Sequence, residues 1–325
     1  MASTATVPPG SREQSANKTL DLPAWELNEA CPRARFKPAE GHLPLDKEPF
    51  VDPTMMDNRK TAMLLLLVSL GLSQDLPAEK KNPHEVHIEA HKFQPKKSNH
   101  TILQINKDTN EFLLEGDIAI PKTRNAIKCT GNAFSCLWKK SPNGKVEVPY
   151  IIDSLYSQVE KNYIEYSMKD FASQTCVRFV PRQQQSAYLN IVPKNGCFSG
   201  VGCYGDKQTV SLSKAGCLQK GIIQHELIHS LGFFHEHTRS DRDNYVRIDW
   251  DNVNSPSDFV KEDTNNLNTP YDYSSIMHYG KYAFAADMSK PTITPIPNAN
   301  VQIGQRVAMS AIDVQRINKL YNCCK

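Results

Sequence analysis

The stretch His225-Glu226-Leu227-Ile228-His229-Ser230-Leu231-Gly232-Phe233-Phe234-His235 gathers three histidines and a glutamate within eleven residues. On a helix, residues four apart stack on one face, so His225 and His229 can present their imidazoles to one ion. Glu226 is rotated about 100° from His225 by the helical repeat. It cannot chelate beside them, but it can reach a water on the open side of the metal. Gly232 lets the chain leave the helix in a backbone conformation that other residues resist, and the following turn brings His235 to the same ion. Three neutral imidazoles and a water make a catalytic zinc site with an open position. Zinc lowers the pKa of such a water from about 16 to about 7. Glu226 would take its proton, and the hydroxide would attack a carbonyl that the metal polarises.

Several elements must position these side chains. Gly221 to Leu231 reads as a helix ending near Gly232. Leu155, Val159, Tyr163 and Tyr166 recur at helical spacing, which predicts an amphipathic helix over roughly 153–172. Val177 to Val180, Tyr188 to Val192 and Thr209 to Leu212 read as short strands. Ser310-Ala311-Ile312-Asp313 has the form of a capping box, opening a helix with Val314, Ile317 and Leu320 facing inward. Between 232 and 309 the chemistry is mostly that of turns and loops, and no repeat is present.

Composition narrows the class. The 325 residues suffice for one or two domains. A hydrophobic share of 39%, a charged share of 22% and a net charge of +3 are ordinary for a soluble protein. No basic stripe interleaved with aromatics suggests nucleic acid. No apolar run reaches the roughly 18 residues of a membrane span. Of nine cysteines only Cys31 precedes residue 129, and the other eight are Cys129, Cys136, Cys176, Cys197, Cys203, Cys217, Cys323 and Cys324. An even number confined to one segment predicts disulfides and an oxidising compartment; spacing alone leaves their pairing open.

The region upstream divides into three. Residues 1–54 are polar, hold eight of the 21 prolines and lack periodicity, as expected of a disordered or non-native extension. Residues 55–73 read as a signal peptide: a basic start at Met55 to Lys60, a short apolar run from Ala62 to Leu72, and small residues at Gly71 and Ser73. That segment is internal, and the simplest reconciliation is that translation begins at Met55 or Met56. Residues 74–124 are rich in Lys, Glu and Asn, end on Lys122-Thr123-Arg124, and read as a removable pro-segment. Within it, His84 to His91 has metal-like spacing but no packed core to hold it, and Asn99-His100-Thr101 is a glycosylation sequon.

The full H-E-x-x-H-x-x-G-x-x-H pattern is the metzincin signature, and its downstream Met-turn partner is Ser275-Ile276-Met277-His278-Tyr279. Together with His235-Glu236-His237-Thr238-Arg239, these motifs make the sequence resemble the astacin family of metzincins, from Asn125 to about Cys324 and over the end of the pro-segment. Thr264 to Tyr273, Ile293 to Gln305 and the early pair Cys129 and Cys136 carry a further likeness to the fish hatching enzymes (choriolysins) within that family.

The resemblance implies an α+β fold of two lobes. One carries a twisted sheet and the active-site helix; the other is loop-rich and C-terminal. It implies a catalytic domain at 125–325 that holds one Zn2+ on His225, His229 and His235. Glu226 would be the base and Tyr279 a swinging ligand that stabilises the oxyanion, with Met277 beneath the metal. Glu236 would anchor the new amino terminus at Asn125, once a trypsin-like protease has cut after Arg124. Asp117, in Leu114-Glu115-Gly116-Asp117-Ile118, resembles the family's inhibitory aspartate, although Leu114 stands where the family usually has Phe. The implied disulfides are Cys197–Cys217, Cys129–Cys136, and Cys176 with Cys323 or Cys324. Cys203 departs from the common pattern and either takes the remaining terminal cysteine or stays free. The expected protein is a secreted, granule-stored, monomeric zinc endopeptidase acting on extended protein substrates such as egg-envelope glycoproteins. Its rivals are an astacin-like protease of another tissue and an inactive binding scaffold on the same fold.

Overall fold

Three capping boxes set where helices begin in the computed structural model, which describes residues 101–120 and 136–323. Thr101 and Gln104 open α1 (Ile102–Asn106), Ser157 and Glu160 open α2 (Gln158–Gln174), and Ser310 and Asp313 open α4 (Ala311–Leu320). In each, the side-chain oxygen of the cap accepts an orphan backbone N–H while the third helical residue reaches back. The helix between them, α3 (Lys220–Ser230), has no side-chain cap, and every residue from Gly221 to Ser230 is buried. A helix enclosed on all sides depends on packing, not on amphipathicity.

The predicted start of α2 is corrected by its cap. The helix begins at Gln158, not near 153, because Ser157 provides the hydrogen bond that starts it. Its buried stripe is also different. Leu155 and Val159 are 69% and 41% exposed, whereas Ile164, Met168 and Phe171 face the core. In the last helix Ile317 is fully buried, while Val314 and Leu320 are only partly so.

Nine strands are described. They are β1 (Leu113–Leu114), β2 (Ile118–Ala119), β3 (Val146–Ile152), β4 (Val177–Pro181), β5 (Tyr188–Val192), β6 (Cys197–Ser199), β7 (Lys207–Leu212), β8 (Val246–Ile248) and β9 (Ile293–Pro295). The first seven form one sheet in the order β1-β2-β6-β7-β5-β3-β4. The pairs β3–β4, β3–β5 and β5–β7 are parallel, and β6 runs antiparallel to β7. Sequence reading found β4, β5 and β7 but not β3. The run of β3 is interrupted by Pro149 and Glu147, which mask its alternation.

Helix α2 packs on α3 and on β4, and α3 packs on β6 and β7. This layer encloses the larger core, with Val148, Ile164, Phe171, Leu189, Ile223 and Leu227 among its members. A second core gathers Val246, Ile248, Phe259, Tyr271, Tyr279 and Ile293 around the antiparallel pair β8–β9. The stretch between α3 and α4 is otherwise turns and loops, as expected, with four short 3-10 helices at Glu236–Thr238, Arg242–Asn244, Trp250–Asn252 and Pro256–Phe259. Two cores are the two lobes, and the histidine motif lies where they meet.

Cys197–Cys217 and Cys176–Cys323 are disulfides, so Cys323 is the terminal cysteine that pairs with Cys176. Cys203 is a free thiol among the described residues. The expected Cys129–Cys136 pair and Cys324 reach outside the described residues, as do Cys31, the signal segment, His84 to His91, Asn99 and the Arg124-Asn125 cleavage site. No described helix is long and apolar enough to cross a membrane.

Candidate metal centre and active site

Helix α3 stacks His225 and His229 one turn apart, with their Nε2 atoms 3.2 Å from each other. The helix stops at Leu231. Gly232 then takes φ +104, the left-handed region that glycine alone enters without strain. The turn aims Phe233 O back at His229 Nδ1, at 2.8 Å, and delivers His235 Nε2 to within 3.3 Å of His225 Nε2.

The remaining corner comes from 108 residues upstream of His225. Leu113 to Ala119 form a hairpin in which β1 and β2 pair antiparallel, with Glu115 (φ +48) and Gly116 (φ +78) at the bend. Gly116 sits at a φ where a side chain is strained, and a Cβ there would also crowd Leu103 and Phe284, so the bend favours glycine. Strand β2 lies parallel to β6, and Ser199 N donates to Asp117 O at 3.0 Å. Asp117, fully buried, thereby places Oδ2 3.2 Å from His225 Nε2, and Oδ1 3.3 Å from His229 Nε2 and 3.1 Å from His235 Nε2.

The donor set suits a divalent cation. Ile276 O and Phe233 O can only accept, so His225 and His229 carry their protons on Nδ1 and turn bare Nε2 lone pairs inward. Four ligand atoms, from Asp117, His225, His229 and His235, lie within 4.8 Å of one another. Tetrahedral zinc with nitrogen ligands requires N···N separations of about 3.3–3.4 Å, and those found here are 3.2 and 3.3 Å. Burial keeps His225 neutral, well below its ordinary pKa, with the charge of Arg306 acting in the same direction. At His235 burial is outweighed by Asp117 and Glu115, which carry its pKa up to about 9. Negative charge that favours a proton there favours a divalent cation more strongly.

Around this cluster stand buried groups with unmet polar atoms. Neither carboxylate oxygen of Glu226 has a hydrogen-bond partner among the described residues, nor does the Tyr279 hydroxyl. Burial, and then the charge of Asp117, push both groups well above their ordinary pKa values. The Tyr279 ring stacks on His237 at 4.0 Å. His237 in turn directs Nε2 to Asp258 O, and His278 directs Nε2 to the Tyr271 hydroxyl, so neither joins the cluster.

Met277 is buried in the larger core, and its carbonyl accepts the Glu236 N–H at 3.0 Å. The turn that carries it is pinned by Asp313 of α4, which accepts from Ser275 Oγ at 2.6 Å and Ile276 N at 2.9 Å. The orientation of His225 therefore depends on a helix cap near the far end of the chain. Glu236 is buried, but its carboxylate is already satisfied. Arg316 holds it through both terminal nitrogens, and Asp272 N donates to it at 2.7 Å. Burial of Glu236 therefore does not by itself require an amino terminus as partner. Sequence reading missed Glu115, Asp258, Arg316 and Asp313 as parts of this centre. Only Asp313 gave a signal, as the last residue of a capping box.

Comparison with known proteins agrees with this geometry. The family model for the astacin peptidases matches residues 136–322. Low choriolytic enzyme of Oryzias latipes is 49% identical over 82% of this chain and 98% of its own length. High choriolytic enzyme 2 of the same fish is 49% identical over 82% of this chain and all of its own. The solved structure of high choriolytic enzyme 1, a hatching enzyme zinc-protease from medaka, superposes with a TM-score of 0.58. It is 54% identical and covers 60% of this chain and 98% of its own. With a buried three-histidine cluster on an α+β frame of two cores, this chain belongs to the astacin family and is a zinc metalloendopeptidase.

Proposed function

We propose that this protein is a secreted endopeptidase made as a latent precursor, which digests egg-envelope proteins after the pro-segment is removed. The carrying observation is the position of Asp117, whose buried carboxylate lies 3.1–3.3 Å from Nε2 of all three histidines. A carboxylate there occupies the place that a nucleophilic water needs. Secretion is supported by the disulfides Cys176–Cys323 and Cys197–Cys217 and by the signal-like segment 55–73. The envelope substrate is supported by the likeness to the choriolytic enzymes.

In the processed enzyme, 125–325, His225, His229 and His235 would hold the zinc. When bound, zinc polarises the scissile carbonyl and acidifies water. Glu226, buried beside His225, takes the proton of the attacking water and passes it to the leaving amine. The Tyr279 hydroxyl donates to the oxyanion that develops on the carbonyl. Strand β6, covered by β2 in the precursor, becomes a free edge on which an extended substrate can pair. A cavity of about 370 Å³ opens beside Glu236, lined by Leu137, Phe233, Phe234, Arg239 and Leu320, and offers room for the chain end that begins at Asn125. The ammonium of that end would join the Glu236–Arg316 pair, not replace it.

The test is to assay the purified precursor against a fluorogenic peptide before and after trypsin, and to sequence the new amino terminus. Silence before, activity after and a terminus at Asn125 are expected; a precursor as active as the treated enzyme refutes latency. Isolated egg envelopes should release soluble peptide under the treated enzyme. Intact envelopes beside digested casein would favour a protease of another tissue.

A further inference from the structure

The three histidines differ in what holds the ring nitrogen facing away from the cluster. His225 Nδ1 donates to Ile276 O and His229 Nδ1 to Phe233 O, each at 2.8 Å. Both acceptors are backbone of the catalytic domain and stay with it. His235 Nδ1 instead donates to Glu115 Oε2 at 2.6 Å, and Glu115 lies in the pro-segment hairpin. Both side chains are buried. One imidazole is thus gripped at both nitrogens by two carboxylates of a single hairpin, with Asp117 Oδ1 at Nε2 and Glu115 Oε2 at Nδ1.

The grip is built, not incidental. Glu115 adopts φ +48, which a non-glycine residue rarely takes. Its N–H donates to Asp258 Oδ1 at 2.8 Å, and Ser255 Oγ fixes the other oxygen of Asp258 at 2.6 Å. Thr238 Oγ1, which also donates to His235 O, lies 3.4 Å from Glu115 Oε2. The second carboxylate oxygen of Glu115 has no partner among the described residues, so the imidazole N–H is the principal group meeting the buried charge.

We propose that Glu115 is a metal-retaining positioning residue lent by the pro-segment. Its carboxylate fixes the Nδ1–H tautomer of His235 and makes Nε2 a stronger zinc ligand, so the precursor holds zinc more tightly than the processed enzyme. Outer partners of this kind are typically worth about 10–100-fold in metal affinity. Cleavage after Arg124 therefore releases two carboxylates with different duties: Asp117 blocks the metal, and Glu115 keeps it in place until the block is lifted. This inference rests on the proposed zinc ligands and on the docked pro-segment.

The experiment uses the precursor with Arg124→Ala, alone and with Glu115→Gln or Glu115→Ala. Zinc is loaded to one equivalent and its loss to a competing chromogenic chelator is followed. Amide exchange across Leu113–Ala119 reports whether the hairpin stays paired. Zinc affinity should fall about 10–100-fold in Glu115→Ala. It should fall several-fold in Glu115→Gln, whose amide oxygen still accepts the Nδ1–H but carries no charge. Hairpin amides should remain protected in the glutamine variant. Identical competition curves for Glu115→Gln and its parent would overturn the role. So would loss of hairpin protection in that variant, which would make Glu115 a docking contact. If the parent itself fails to hold one zinc, the three-histidine reading fails instead.

Discussion

Glu226 and Tyr279 are buried polar groups whose acid-base atoms meet no partner among the described residues. Such atoms cost free energy unless a ligand or reactant satisfies them, and in the proposed mechanism that reactant is the scissile peptide with its attacking water. Glu226→Gln keeps the shape but cannot accept a proton. Bound zinc should remain at one equivalent while peptide turnover falls about 10²–10⁴-fold; near-normal turnover would remove Glu226 from the chemistry. Tyr279→Phe keeps the ring stack on His237 and loses only the hydroxyl. A donor that meets charge only in the transition state contributes to kcat and not to ground-state binding. Steady-state kinetics should therefore show a lowered kcat with KM little changed, and the reverse pattern would contradict the role.

At the scale of elements, the centre is positioned by joints between segments distant in sequence. Helix α3 fixes two histidines, Gly232 returns the third, and the Ser275–Ile276 turn orients His225 through Ile276 O. That turn is fastened by Asp313, whose carboxylate also accepts from Ser310 N at 2.9 Å. Asp313→Ala leaves Ser275 Oγ, Ile276 N and Ser310 N without this acceptor. Losing a hydrogen bond to a buried charged group costs about 1.5–3 kcal/mol. Thermal unfolding should show a loss of that order, together with weaker zinc retention although no ligand is changed. Unaltered stability would mean that the turn holds its shape without the helix cap. Removing zinc from the processed enzyme with a chelator should abolish hydrolysis, and restoring zinc should recover it. Persistent activity at less than one-tenth of an equivalent by elemental analysis would rule the metal out of catalysis.

For the whole molecule, residues 101–120, the described part of the proposed pro-segment, are built into the fold. Its β2 strand extends the sheet beside β6, and its hairpin bend packs against Leu103, Phe284 and Tyr279 of the second core. Lys194 ties its Glu111 to the sheet at 2.8 Å. Latency should then have two components, the Asp117 carboxylate on the metal and the strand on the substrate edge. In the Arg124→Ala precursor, Asp117→Ala should restore part of the hydrolysis of a small fluorogenic peptide, while a folded protein substrate stays uncut. If the double variant is as silent as Arg124→Ala alone, occlusion by the strand accounts for latency without the carboxylate.

The sequence by itself determined the candidate ligands and the helix that carries two of them. His225, His229 and His235 were legible because helical repeat and a glycine exit convert spacing directly into geometry. The capping box at Ser310 marked the start of α4 for the same reason: its interactions span three residues. Asp117 was legible only through family resemblance, since nothing local says that a residue 108 positions upstream of His225 reaches its ring. Tertiary structure alone decided the rest. It assigned Cys323 to Cys176, satisfied Glu236 with Arg316, put Ile164 and Phe171 on the buried stripe of α2, and brought Glu115 to the far nitrogen of His235. The physical reason is range. Helix periodicity and caps are set within a few residues, whereas a buried carboxylate finds its partner only after packing has excluded water and fixed which distant donors remain.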